Sequence, residues 1–204
     1  YMEDAGFTKA LVSGKKEDET DVHSLNRVKL GRNICQSRDA AKTFIYSWVL
    51  GASAPKTAKV LECSIGEAVV ARTNFLEGYP GLKKVKEELI PQDVHRKWFR
   101  GFDGRRVVCD SAHKMLAGYL QNGEVVIMKW AMRLWYNKLK KEGVPFKLAD
   151  FVHDEWQTET TERRYAEYIR AVQIWSIEQA GVDLGLKCPM AGSGSIGSNW
   201  CQTH

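Results

Sequence analysis

From Ser111 to Lys141 the chain carries no proline, and Met115, Leu116, Tyr119, Leu120, Val126, Ile127, Trp130, Leu134 and Trp135 recur at steps of three and four. A period near 3.6 held for so long predicts one long buried helix. Gly118 and Gly123 interrupt it, each at a cost of about 1 kcal/mol relative to alanine. A helix of that length dominates a chain of 204 residues. The shorter elements must find their cores along it or beside it.

Those elements are mostly helical by the same criterion. Phe7, Ala10 and Leu11 share a face between Glu3 and Val12, and Gly14 ends the pattern. After the mixed-charge loop KKEDETD, Ser37 is an N-cap for RDAAKTFIYSWVLG, in which Phe44, Ile45, Trp48 and Val49 form an apolar stripe. Lys56 to Leu61, Ile65 to Leu76 and Leu82 to Ile90 read as three shorter helices, and Pro91 breaks the last. Asp103-Gly104 between short β-favouring runs predicts a hairpin. ADFVHDEWQTET predicts a second hairpin, with its turn at Asp154-Glu155. A helix from about Glu162 to Gln179 follows, with Tyr165, Tyr168, Ile169, Val172 and Trp175 inward, and the glycine-rich end reads as strand and loop. The expected class is α+β, mainly helical.

Composition narrows the function. With 44% hydrophobic residues the chain can fill a core, and a net charge of +5 permits a polyanionic partner without requiring one. No apolar run reaches the ~18 residues of a membrane span, and no signal-peptide pattern opens the chain. Five scattered cysteines with no C-x-x-C fit neither a zinc knuckle nor a full disulfide framework. The expectation is a protein of a reducing, cytoplasmic compartment with no membrane partner. Tyr1 is no initiator methionine, and the first helix reads as though the chain begins in the middle of something.

Two constellations carry chemistry. Arg38, Lys42 and Tyr46 stand at i, i+4 and i+8 on the capped helix, so each advances ~40° around it and the three form one slowly winding row. Cations at a helix N-terminus disfavour the helix but suit a polyphosphate. On spacing alone, a solvated basic face beside a core aromatic ring is the commoner explanation. The second constellation is Val152-His153-Asp154-Glu155 at the hairpin tip. Carboxylates on a rigid tip can hold a hard divalent cation alongside substrate phosphates, although most acidic tips are only solvated turns.

In this order the two resemble the family A DNA polymerases, the bacterial polymerase I and podovirus replicase group, over essentially the whole chain. RDAAKTFIYSWVLG is similar to motif B, the fingers helix that binds the incoming nucleotide, and FVHDE to motif C, the palm hairpin that supplies a metal ligand. Asp21-Val22-His23 resembles the D-I-H segment before the fingers, FDGRR the D-G-R turn, and GSNWCQTH the family's chain end, which would make His204 the natural terminus. The resemblance implies fingers helices followed by the C-terminal part of a palm: 1–22 a palm-to-fingers connection, 23–110 fingers, 111–204 C-terminal palm. It implies that His23, Arg38 and Lys42 contact the triphosphate of a deoxynucleotide, with Lys42 stabilising or protonating the leaving pyrophosphate. Tyr46 would stack near sugar and base, and a tyrosine there implies tolerance of dideoxynucleotides. Asp154 would bind Mg²⁺, His153 and Glu155 would position the primer end, and Gln121 and His113 would contact the DNA primer-template.

The sequence also departs from the family. Leu50 stands where the family has a tyrosine, and Ala117 where an asparagine is expected. Motif A, D-x-S-x-x-E-x-R with the second catalytic aspartate, is absent from this sequence, whereas Tyr1-Met2 resembles the stretch just after it. The resemblance therefore implies a partner part carrying motif A and the thumb, and no polymerisation by this chain alone. The second part of a split phage enzyme and the remainder of a longer chain both fit. Two other readings compete: a single-subunit RNA polymerase relative, against which HDE rather than HDS argues, and a non-catalytic DNA-binding or assembly module. The basic clusters Lys83, Lys84, Lys86 and Arg96, Lys97, Arg100, Arg105, Arg106 suit a template backbone and a solubilising surface equally. Trp130, Trp135 and Trp175 read as core residues.

Overall fold

The computed structural model describes residues 4–89 and 96–203. They form a mainly helical α+β structure with two small antiparallel sheets, in two compact units, 1–120 and 121–204. The boundary lies within the long helix.

The first unit opens with α1 (Ala5–Ser13), α2 (Val22–Leu30), α3 (Arg38–Val49), α4 (Ala54–Leu61) and α5 (Ile65–Glu77). Side chains cap most of them: Asp4 Oδ1 accepts from Phe7 N–H at 2.6 Å, Asp21 Oδ1 from His23 N–H at 3.0 Å, and Ser37 Oγ from Ala40 N–H at 3.0 Å. Ser64 and Glu67 close a reciprocal capping box on α5. Next comes α6 (Pro80–Lys84), which runs into a π-helical turn, Val85–Leu89. The expected end of this helix at Ile90 and Pro91 lies outside the described residues. Strands β1 (Trp98–Arg100) and β2 (Arg106–Val108) make the expected hairpin.

An aromatic cluster holds this unit together. Phe75 meets Phe44 at 5.1 Å, Tyr79 at 5.1 Å and Trp48 at 5.4 Å between ring centroids, each edge to face. That arrangement adds about 0.5–1.5 kcal/mol per pair beyond simple burial. The buried Tyr79 hydroxyl donates to Asn26 Oδ1 at 2.8 Å, tying the cluster to α2.

The long helix is real: a 3₁₀ turn (Ala112–Lys114) leads into α7 (Met115–Lys141). Its burial is partial, however. Met128, Ala131, Trp135 and Leu139 form the buried line in the second unit, whereas Leu120 and Trp130 are exposed. Strands β3 (Lys147–Val152) and β4 (Glu155–Glu159) pair antiparallel with a bulge between Leu148 and Asp150. Helix α8 (Arg163–Asp183) completes the unit. Trp135 sits at its centre with Leu139, Ile169 and Val172. Phe146 and Trp156 stack around that ring at 5.5 and 5.7 Å.

Several expectations are corrected. The second hairpin turns on His153-Asp154, not Asp154-Glu155, with Val152 paired to Glu155 and His153 left-handed at φ 53°. Tyr168 and Trp175 are exposed rather than inward, because a helix this long presents only one stripe to one core. The glycine-rich end forms no strand among the described residues, only a 3₁₀ turn, Trp200–Gln202. Helix α2 escaped the sequence reading because Asn26, buried at 1% exposure, interrupts its apolar face.

Gly51 fixes how α3 ends. Its φ is +85°, and a Cβ there would lie 2.5 Å from the His113 carbonyl oxygen. Gly51→Ala is therefore expected to destabilise the protein by roughly 1–3 kcal/mol in urea unfolding, from backbone strain and a clash with main chain.

Candidate nucleotide and metal site

The row on α3 faces away from the core. Ala41, Phe44 and Trp48 are buried. At 100° per residue their mean direction lies about 130° from that of Arg38, Lys42 and Tyr46. Tyr46 is 59% exposed and Lys42 is exposed, so the aromatic member of the row is no core residue. From α2 the half-buried His23 ring reaches the row, 6.3 Å from the Tyr46 ring between centroids. Its Nδ1 is buried with no hydrogen-bond partner. Four of the expected nucleotide-binding side chains thus converge on one surface of the first unit.

Arg38 is not loose in this cluster. Its Nε and Nη2 donate to Asp21 Oδ1 at 3.1 and 2.8 Å, a two-pronged ion pair with a carboxylate that is itself 8% exposed. These charge-assisted bonds hold the Asp21 carboxyl well below the usual carboxylate range, against the opposing effect of burial. Desolvation, with the Arg38 charge behind it, lowers the pKa of His23 from its ordinary value of 6.5. The ring therefore stays neutral near pH 7. Asp21 enters the sequence reading only as the first residue of Asp21-Val22-His23, with no role for its side chain; the signal for one was an N-cap aspartate three residues before Ser24, from whose hydroxyl it accepts at 2.6 Å.

In the second unit, Asp154 is exposed at the hairpin tip, beside His153 and the partly buried Glu155. Glu155 accepts a hydrogen bond from the Gln157 side chain. Among the described residues no three acidic, histidine or cysteine side chains gather around a common point. Asp154 offers one hard-oxygen donor on a rigid tip, which suits a Mg²⁺ ion as a single ligand and needs further oxygens from elsewhere. A groove of about 800 Å³ lies beside the tip, bounded by β4, α8 and the 193–203 segment.

Gln121 and His113 are both exposed. The His113 ring bonds the Ser111 hydroxyl through Nδ1 at 2.7 Å. Ala117 is buried at 8% exposure, and Leu50, which caps α3, is 63% exposed. The basic clusters are partly absorbed by internal contacts. Lys86 lies over the Trp48 ring at 4.5 Å, and Arg106 over Trp98 at 4.7 Å. Arg105 pairs with Asp103 at 2.5 Å. Of the tryptophans read as core, only Trp135 is fully buried; Trp130 and Trp175 are about two-fifths exposed. No described helix is long and apolar enough to cross a membrane.

Both depressed pKa values bind stability to pH in the same direction. The unfolded chain takes up a proton on histidine near pH 6.5 while His23 in the folded chain resists it, so stability falls as pH drops below about 6.5. A second fall begins below the ordinary aspartate value of 3.8, as the unfolded chain protonates before Asp21 does in the folded one. Thermal melting between pH 7.5 and 5 is expected to show the first loss, and His23→Gln is expected to flatten it.

Residues 2–202 match the family model described as DNA polymerase family A. The chain is 29% identical over 193 residues to the DNA-directed DNA polymerase of Escherichia phage Phieco32, a match covering 91% of this chain and 31% of that protein. It is 26% identical over 204 residues to the DNA-directed DNA polymerase of Escherichia phage T7, covering 90% and 29%. To DNA polymerase I of Aquifex aeolicus it is 24% identical over 202 residues, covering 95% and 33%. Among solved structures, the POL domain of Pol1 from M. smegmatis, in complex with DNA primer-template and dNTP, superposes with a TM-score of 0.71 at 22% identity, over 88% of this chain and 34% of that one. That likeness is one of fold. The chain spans about a third of the length of these relatives. With a match running from residue 2 to residue 202, the chain belongs to DNA polymerase family A.

Proposed function

We propose that this chain supplies the nucleotide-binding helix and one metal-binding carboxylate of a template-directed DNA polymerase, as fingers (23–110), a short palm connection (1–22) and the C-terminal palm (111–204). The observation that carries the reading is the outward row Arg38, Lys42 and Tyr46 with His23 beside it. Two cations, a neutral imidazole and an exposed ring on one surface suit a nucleoside triphosphate: charge for the phosphates, a face for sugar and base. The relatives' names and the primer-template and dNTP in the solved neighbour support DNA and deoxynucleotides as ligands.

Each residue then has a duty. Arg38, held by Asp21, presents to the phosphates the guanidinium edge that otherwise makes only a 3.7 Å ion pair with the exposed Asp39. Lys42, one turn further on, is the cation for the pyrophosphate leaving group, and stabilises or protonates it. Tyr46 lies under the sugar and base. Gln121 and His113 hydrogen-bond the primer-template, and His153 and Glu155 position the primer terminus. Asp154 would hold Mg²⁺ together with a carboxylate on a motif A segment outside this sequence; such an ion, when bound, activates the primer 3′-hydroxyl and neutralises triphosphate charge. Positioning and charge stabilisation supply the catalysis.

Three outcomes test this. This chain alone is expected to give no primer extension, and addition of the polypeptide carrying motif A and the thumb to restore it. In the assembled enzyme, Asp154→Ala is expected to lower incorporation by about 100- to 1000-fold, the scale seen on removing a group that stabilises developing charge, without loss of melting temperature. Retained activity would show that Asp154 is no metal ligand. A chain-termination assay is expected to show ready dideoxynucleotide incorporation by the enzyme with Tyr46 and strong rejection after Tyr46→Phe.

A further inference from the structure

Asp21 stands apart from the groups assigned above. It is buried, it bears a charge, and five hydrogen bonds converge on its carboxylate. Oδ1 accepts from the His23 backbone N–H at 3.0 Å and from Arg38 Nε and Nη2 at 3.1 and 2.8 Å; Oδ2 accepts from Ser24 Oγ at 2.6 Å and from Arg38 Nε at 3.2 Å. Its own carbonyl accepts from Leu25 N–H at 2.9 Å and begins α2. One residue is therefore at once the N-cap of the helix that carries His23 and the partner of the first cation on α3.

We propose that Asp21 is a positioning residue for nucleotide binding: its carboxylate joins the start of α2 to Arg38, so that His23 and the Arg38 guanidinium meet the triphosphate as one preset unit. The inference rests on the reading of Arg38 and His23 as triphosphate ligands.

Geometry gives the reason. A guanidinium free to rotate would sample many orientations, and ordering it on binding would oppose the gain from each phosphate contact. Here Nε and Nη2 are spent on Asp21, and Nη1 makes only a long ion pair, 3.7 Å, with the largely exposed Asp39, a contact weak enough for a phosphate to replace. A planar fork can be fixed in this way; a lysine ammonium cannot. Helix capping alone does not call for this arrangement. Ser37 and Ser64 cap α3 and α5 with hydroxyls and no buried charge.

The test uses the enzyme assembled with its motif A part, single-nucleotide incorporation at saturating primer-template, and four forms: wild type, Asp21→Asn, Arg38→Ala and the double variant. Asparagine keeps the capping oxygen and removes the charge. The expected result is a rise in the deoxynucleoside triphosphate KM on the order of 10- to 100-fold for Asp21→Asn, the scale of a misplaced binding group, with kcat changed far less and no further rise when Arg38 is already alanine. An unchanged KM in Asp21→Asn overturns the proposal. A lowered KM overturns it too, since Asp21 would then be competing with the phosphates for Arg38. Equal KM rises in the presence and absence of Arg38 leave Asp21 a structural cap only. If Asp21→Asn does not fold, Ser24→Ala, which removes one hydrogen bond from Oδ2, is expected to raise the KM by a smaller factor, and no rise refutes the proposal. Failure of the underlying reading looks different: Arg38→Ala itself would then leave KM unmoved.

Discussion

The packing of α3 against Phe75 is the constraint on which the first unit depends. Ala41, Phe44 and Trp48 recur at three- and four-residue steps and are all buried, so the rotation of this helix about its axis is not adjustable. Phe44 and Trp48 both meet the Phe75 ring edge to face, and turning α3 by even one residue would replace them with Ile45 and Val49 and break both contacts. The outward direction of Arg38, Lys42 and Tyr46 follows from that lock. The candidate row is aimed by core side chains on the opposite face of the same helix.

The two ends of α3 are fixed by different means. At its start, Ser37 caps the backbone and Asp21 grips Arg38 from α2, so the helix end and its first cation are tied to a second element. At its finish, Leu50 leaves the helix exposed and Gly51 takes a left-handed turn against the main chain of His113. Leu50 keeps an apolar side chain at 63% exposure just where the helix ends. Ala117, by contrast, is buried at 8%, and an asparagine amide there would need hydrogen-bond partners within the packing around it.

Much of this was legible in the residues. The capped α3, the two hairpins and the proline-free α7 each carry a local signal, an N-cap, an Asp-Gly turn or a long 3.6-residue period, and each lies within a few residues of its expected place. The misses have physical causes. Helix α2 hides because Asn26 is buried only by virtue of Tyr79, a partner 53 residues away. Trp130 and Tyr168 share a helical period with buried residues, yet their polar tips engage Asp183 and Glu142 at the surface. The turn at His153-Asp154 rather than Asp154-Glu155 is set by the pairing of Val152 with Glu155 and by the left-handed backbone of His153, neither of which leaves a mark in composition. Of the candidate site, the residue types and spacing were readable; the grip of Asp21 on Arg38 was not, because it joins side chains 17 residues apart through a helix pairing that only the fold creates.

In the proposed mechanism stability and function fall to different groups, and the division can be drawn residue by residue. Lys42, Tyr46 and Asp154 are exposed, and substitutions at such positions usually shift stability by no more than about 0.5 kcal/mol. Phe75, Trp135 and Gly51 bear on the fold and reach no ligand in the proposed mechanism. Asp21 belongs to both sets, since a buried carboxylate stripped of its partner is costly to keep and a partner stripped of its carboxylate loses its aim. Arg38→Ala would leave that carboxylate buried with only Ser24 and a backbone N–H to satisfy it, so in the proposed mechanism this single loss would couple folding to nucleotide binding in a way that loss of Lys42 would not. Among the described residues the buried charge is Asp21, at the joint between the two helices that carry the candidate site, and the depth of the Asp21–Arg38 pair follows from that location.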